Sequence, residues 1–177
     1  MKKYSVIYAD PPWKYRATSN YRSPEAHYPT MSTESICLLP VYDIAAEDCA
    51  LFLWATMPKL KDALKVIDAW GFKYKTAAFV WVKLNHASDR VFWGMGAWTR
   101  SNAELCLLAT KGRPQRKSAS VHQVIISHLE EHSKKPEEAR RRIEALMGDV
   151  PRIELFARRT SPGWDVWGNE VISDVLL

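Results

Sequence analysis

Apolar residues along the chain follow two periodicities, and the alternation between them predicts the fold. Tyr4-Ser5-Val6-Ile7-Tyr8-Ala9 is apolar and β-prone over the length of a strand. Ala50-Leu51-Phe52-Leu53-Trp54 contains no polar residue, as expected of a parallel strand buried on both faces. Thr76–Lys83, Asn102–Thr110 and Arg152–Ala157 predict three further strands. Elsewhere the period becomes helical. Pro58 opens a helix whose Leu60, Ala63, Leu64 and Ile67 share one face, and Gly71 closes it. Pro136, with Glu137 and Glu138 in the first turn, opens another. Its Ala139, Ile143, Leu146 and Met147 face the core, Arg140, Arg141 and Arg142 lie partly outward, and Gly148 ends it. A short helix starts at Ser32 and runs to Leu39, where Pro40 breaks it. Strands alternating with helices imply an α/β sheet, and 177 residues suit one domain over 1–177.

Two long connections interrupt the alternation, and each mixes rings with cations. Lys14–Thr30 holds Tyr15, Tyr21 and Tyr28 among Lys14, Arg16, Arg22 and His27. Stacking faces beside positive charge suit a flipped or single-stranded nucleotide, and a solvated surface loop is the alternative. Leu84–Ser101 holds Phe92, Trp93, Gly94, Met95, Gly96 and Trp98 between Arg90 and Arg100. Glycine backbone beside rigid rings fits a second nucleic-acid-facing loop, a dimer contact or plain apolar packing. Lys111-Gly112-Arg113-Pro114 reads as a turn, and Gln115–Ser120 as an exposed basic stretch.

Composition narrows the class. At 47% hydrophobic and 25% charged the chain reads as globular and soluble, and no apolar run approaches the ~20 residues of a membrane span. Its charged, aromatic amino terminus is not that of a signal peptide. Cys37, Cys49 and Cys106 are scattered, which predicts reduced thiols in a cytoplasmic protein. A net charge of +5 permits a polyanionic partner without requiring one. Eight tryptophans are many for this length; most should be core and a few stacking surfaces. His128 and His132 could share a helix face, but Glu130 and Glu131 do not fit the zinc-protease spacing and no third ligand is apparent, so no metal is expected.

The chemistry concentrates at Asp10-Pro11-Pro12-Trp13, at the end of the first strand. Two prolines end the ladder, because neither has an N–H and each fixes φ near −65°. The carboxyl edge of an open α/β sheet is where ligands bind. A carboxylate beside a preset carbonyl can grip both hydrogens of an exocyclic amine such as adenine N6, a poor nucleophile whose lone pair is delocalised into the ring. Held so, the nitrogen turns more pyramidal and aims its lone pair at an electrophile, with Trp13 offering a face to stack. The alternative is an ordinary strand-to-loop turn with a surface Asp and a core Trp.

The motif resembles the Asp-Pro-Pro-aromatic signature of S-adenosylmethionine-dependent amino-methyltransferases. Tyr28-Pro29-Thr30-Met31-Ser32, Leu51-Phe52-Leu53-Trp54, Trp70-Gly71-Phe72, Trp81-Val82-Lys83, Lys135-Pro136-Glu137, Ile153 to Arg158 and Trp167-Gly168-Asn169 follow in order. Together they are similar to the N6-adenine methyltransferase family of the seventy-kilodalton mRNA methyltransferase catalytic subunit, over about residues 4 to 172. The resemblance implies a Rossmann-like fold with circularly permuted motif order, since the catalytic motif precedes the strand that usually opens onto a glycine-rich cofactor loop. Here Phe156 to Ser161 replaces that loop. It implies S-adenosylmethionine as cofactor, with its methionine carboxylate on Lys135, Asp10, Phe156, Arg158 and Ser161 lining its pocket, and Asn169 and Glu170 at its ribose or adenine. Relatives often carry His-Asn where this chain has Thr160-Ser161, and Gln at the place of Glu170. Tyr15, Tyr28, Trp98 and Arg100 are then the expected contacts to the nucleic acid, and a homodimer is implied. The expected reaction is methylation of adenine N6 in DNA. RNA as acceptor, cytosine N4 as target and an inactive binding subunit are the competing readings.

Overall fold

The computed structural model describes residues 2–15, 29–96, 98–131 and 134–177. Strand β1 (Tyr4–Ala9) lies inside an eight-stranded sheet, between β2 (Ala45–Ala55) and β7 (Arg152–Leu155), and runs parallel to both. The remaining strands are β3 (Lys73–Asn85), β4 (Ser88–Val91), β5 (Ala103–Lys111), β6 (Val124–His128) and β8 (Asp165–Trp167). Their order is β4-β3-β5-β2-β1-β7-β8, with β6 parallel to β3. β5 runs antiparallel to β2 and to β3. The first and last parts of the chain thus meet at the middle of the sheet, as the permuted order requires.

The apolar run of β2 is explained by helices on both faces. Cys49, Leu51, Leu53 and Ala55 enter one core with Ala63, Val66, Ile67 and Trp70 of helix α3 (Leu60–Ala69) and its cap. Ala50, Phe52 and Trp54 enter the other, with Ala139, Ile143 and Met147 of α4 (Glu137–Met147). Helix α1 (Thr33–Cys37) is capped by the Ser32 hydroxyl, which accepts from the Ser35 N–H at 3.1 Å. It stops at Cys37 rather than Leu39, and the short α2 (Val41–Ile44) follows Pro40. No helix among the described residues is long and apolar enough to cross a membrane.

The structure corrects three expectations and adds one strand. Leu84–Ser101 is not one open connection: β3 continues to Asn85, turns at His86-Ala87 and comes back as β4, so among the described residues the part beyond that hairpin starts at Phe92. His128 ends strand β6 instead of standing on a helix, and His132 lies outside the described residues. The β-branched Val124-Ile125-Ile126 supplies that strand, with only Ile125 buried. Asp165–Trp167 forms β8, too short to announce itself by alternation. Finally, Arg140 is buried rather than outward.

Arg140 is buried because Glu154 sits on the α4 face of β7, between Ile153 and Leu155, which face the α3 side. Its carboxylate accepts two hydrogen bonds from the Arg140 guanidinium, each 2.8 Å. Burial pushes the Glu154 carboxyl up, while Arg140 opposes it. Arg140 also pairs with the part-exposed Glu137 at 2.8 Å, so removing Arg140 strands the buried Glu154 charge, whereas replacing both removes the problem. Arg140→Met should lower unfolding free energy in urea by about 3–5 kcal/mol, and Arg140→Met with Glu154→Leu by far less.

Candidate active site

Parallel β1, β2, β7 and β8 end on one edge of the sheet, and antiparallel β5 begins there. A cavity of about 490 Å³ opens on that edge, within the range of cofactor clefts. Its wall takes Asp10 to Trp13 from the end of β1, Trp54 to Thr56 from β2, Glu104 from β5, Phe156 to Arg158 from β7 and Trp167 to Glu170 from β8. Lys135, ahead of α4, closes it.

The loop after β1 is held from behind. The Pro11 carbonyl accepts the Trp13 N–H at 2.9 Å, and the Pro12 carbonyl accepts the Met31 N–H at 2.8 Å. Trp13, 5% exposed, donates its indole N–H to the Trp54 carbonyl at 3.2 Å. It is a wall of the cavity more than an open stacking platform. The Pro11 oxygen retains a second lone pair for a ligand.

Lys135 joins two carboxylates, its Nζ 3.1 Å from Asp10 and 3.2 Å from Glu104. Glu104 also pairs with Lys83 at 2.5 Å. Both ammonium groups rest on indoles, Lys83 4.9 Å from the Trp81 ring and Lys135 5.7 Å from Trp54. Burial pushes the Asp10 carboxyl above its ordinary value and the Glu104 charge adds to this, against the pull of Lys135. Burial acts on Glu104 too, but Lys135 and Lys83 outweigh it and hold Glu104 below its ordinary value. Burial opposes the Lys135 charge, yet the two carboxylates hold the ammonium above the usual lysine range.

Across the cavity, Phe156 has φ +61°, a left-handed conformation that a bulky residue adopts only under constraint. Its ring meets Trp167 edge-on at 5.3 Å. At Gly168 a Cβ would lie 2.2 Å from the Ala157 carbonyl oxygen, so glycine alone lets the ends of β7 and β8 close together. Arg158 pairs with Glu170 at 2.9 Å over the opening.

Of the expected site residues, Asp10 to Trp13, Tyr15, Lys135, Phe156, Arg158, Asn169 and Glu170 share this wall. The Tyr15 hydroxyl is 2.5 Å from that of Thr56. Ser161 lies off the wall, in a turn with Trp164. Trp98 and Arg100 lie on the Phe92–Asn102 segment, and Tyr28 is outside the described residues. Glu104 was missed. Its signal was an acid in an apolar strand, but only the antiparallel course of β5 brings its first residues to this edge.

The MT-A70 family model matches residues 4–170. The chain belongs to the MT-A70 family. It is 36% identical to the Type II methyltransferase M.MunI of a Mycoplasma species, over 96% of this chain and 78% of that protein. It is 30% identical to the human N(6)-adenosine-methyltransferase catalytic subunit METTL3 and to an Arabidopsis thaliana N(6)-adenosine-methyltransferase MT-A70-like protein. Those alignments cover 96% and 95% of this chain but only 28% and 24% of the relatives. This MT-A70 chain is a methyltransferase, and its cofactor is S-adenosylmethionine.

The wall suits that cofactor. Trp13, Phe156 and Trp167 offer apolar faces to a heterocycle, and Asn169 and Glu170 offer amide and carboxylate to hydroxyls. The wall's three carboxylates (Asp10, Glu104, Glu170) are matched by Lys135 and Arg158 on the wall and by Lys83 behind Glu104, so its charges are balanced. Carbon-13 titration should place the Asp10 carboxyl midpoint above the ordinary 3.8, the carboxylate persisting above that midpoint and protonating as pH falls through it. Lys135→Met should move it further up.

Proposed function

We propose that this chain methylates the N6 amine of adenine in DNA, a reaction of the cytoplasm. The observation that carries this reading is Asp10 on the cavity wall next to Pro11, with its carboxylate braced by Lys135. Bound S-adenosylmethionine supplies a methyl group on cationic sulfur, an electrophile that needs no activation. The protein's own work is positioning and charge. Asp10 and the Pro11 carbonyl hold the two amine hydrogens, and Asp10 stabilises the positive charge that develops on nitrogen and takes up the proton released. Lys135, which keeps Asp10 in place, would hold the cofactor carboxylate, and Phe156, Trp167, Asn169 and Glu170 would take the nucleoside end. Ser161, off the wall, is left without a part.

DNA is favoured over RNA by similarity. The chain is 36% identical to the Type II methyltransferase and 30% identical to the N(6)-adenosine-methyltransferases. RNA remains the second reading because those proteins align across nearly all of this chain. Tritiated methyl transfer to unmethylated duplex DNA and to RNA of matched sequence decides between them, with DNA expected to be labelled.

Asp10→Ala should lower kcat/KM roughly 100-fold or more with the circular dichroism spectrum intact. Wild-type kcat/KM should have an acidic limb above the range of an ordinary aspartate, because the required carboxylate is lost as pH falls through a raised pKa. Normal transfer by Asp10→Ala overturns the mechanism. Absence of heat when wild type is titrated with S-adenosylmethionine would make the chain a non-catalytic binding subunit.

A further inference from the structure

The Phe92–Asn102 segment forms an arm rooted beside the cavity. The Phe92 N–H donates to the Lys83 carbonyl at 2.8 Å, and the Lys83 N–H donates to the Asn102 carbonyl at 2.9 Å. Both ends of the arm are therefore fastened to one residue, whose side chain grips Glu104 of the cavity wall. The two sides of the arm run close together. A Cβ on Gly94 would lie 1.6 Å from the Ser101 carbonyl oxygen, and one on Gly96 1.9 Å from that of Thr99.

The arm carries large apolar side chains that no other described residue covers. Trp98 is 100% exposed, Met95 75% and Trp93 74%. Five of the chain's other tryptophans, Trp13, Trp54, Trp70, Trp81 and Trp164, are buried, so the exposure belongs to the arm and not to a general excess of tryptophan. Arg100 lies 5.7 Å over the Trp93 ring. From Arg90 to Asn102 the sequence has two arginines and no acidic residue, and the nearest acid, Asp89, faces His128 at 3.1 Å. Exposed rings beside unopposed guanidinium groups suit stacked bases between phosphates. A folded apolar core offers such an arm no use for the cations.

We propose that the arm is a wedge for duplex DNA, with Trp98 entering the stack where the target adenine has left it and Arg100 and Arg90 on the flanking phosphates. This rests on the reading of the cavity as an adenine methylation site. An amine inside a duplex cannot reach a cavity at the sheet edge, so the base has to swing out, and an apolar ring filling the gap offsets the lost stacking. Rooting the arm on Lys83 sets the wedge at a fixed reach from Glu104 and Asp10.

The test compares wild type with Trp98→Ala on plasmid DNA lacking N6-methyladenine, native and after heat denaturation. The expected result is that the ratio of native to denatured methylation rates falls roughly tenfold or more in the variant, while Trp98→Phe keeps most of it. Permanganate probing of the native complex adds an independent readout. Thymines left unpaired by the extruded base should react with wild type and cease to react with Trp98→Ala. Unchanged methylation of native DNA, an equal loss on both forms, or an unchanged permanganate pattern overturns the wedge. So does a dimer that sediments as a monomer on Trp98→Ala, which would make the arm a contact between copies. If wild type methylates neither form of DNA, the DNA reading of the cavity fails instead.

Discussion

The site depends on one ammonium group placed between two carboxylates. Asp10 and Glu104 reach the same cavity from strands of opposite direction, and without a cation between them their charges would repel in a poorly solvated space. Lys135, within about 3 Å of each, supplies roughly 5 kcal/mol of attraction per pair at an effective dielectric near 20. Desolvation costs several kcal/mol per ion, so attraction and penalty nearly balance. The arrangement is therefore better understood as fixing Asp10 in charge and direction than as stabilising the fold. Asp10 is raised and Glu104 lowered although Lys135 stands about equally near both, because Lys83 adds a second cation at Glu104.

That sharing is possible because of the order in which strands enter the sheet. β1 and β7 lie far apart in sequence and side by side in space, so the acid-bearing loop and the cofactor-side loop open onto one edge. Where a glycine-rich turn would ordinarily follow such a strand, β7 ends at Phe156 with φ +61°. The left-handed conformation a glycine would adopt freely is imposed on a phenylalanine, at about 1–2 kcal/mol. In exchange the loop gains a ring that packs on Trp167 and faces the cavity. Shape is obtained from a strained aromatic rather than from bare backbone.

Much of this was legible in the sequence wherever one local rule governed. β1 was found at its observed bounds because an apolar run meets two prolines, and α3 and α4 because their apolar stripes end at Gly71 and Gly148, both with φ near +78°. The Asp10 loop, Lys135 and the residues around Phe156 were visible as motifs. What escaped was set by pairing across the sheet. β4, β6 and β8 are three to five residues long, too short for alternation to speak. Glu104 shows locally only as an acid in an apolar strand, and its place at the cavity depends on the direction of β5. Arg140 looked like the first of three solvated arginines; its burial follows from Glu154, fourteen residues later, and no helix periodicity reports a partner on a strand.

The same limit bears on how the catalytic edge is kept rigid. Beneath the charges lie two indoles in edge contact, Trp54 and Trp81, with ring centres 6.2 Å apart. Each is fastened by its N–H, Trp54 to the Tyr8 hydroxyl at 2.7 Å and Trp81 to Ser127 at 2.8 Å. Each carries a lysine of the charge chain on its face. Tyr8 in turn packs against Trp164 and lies under Arg140, whose partner Glu154 adjoins the strand end at Phe156. A line of aromatic and ionic contacts thus connects β3, β2, β1 and β7 directly below the cavity. Aromatic rings lose little rotamer freedom on burial compared with long aliphatic chains, and pinned indole N–H groups remove most of what is left. A high tryptophan count, which in the sequence distinguishes core from stacking surface poorly, is here the material of a floor stiff enough to hold an alternating row of charges in register.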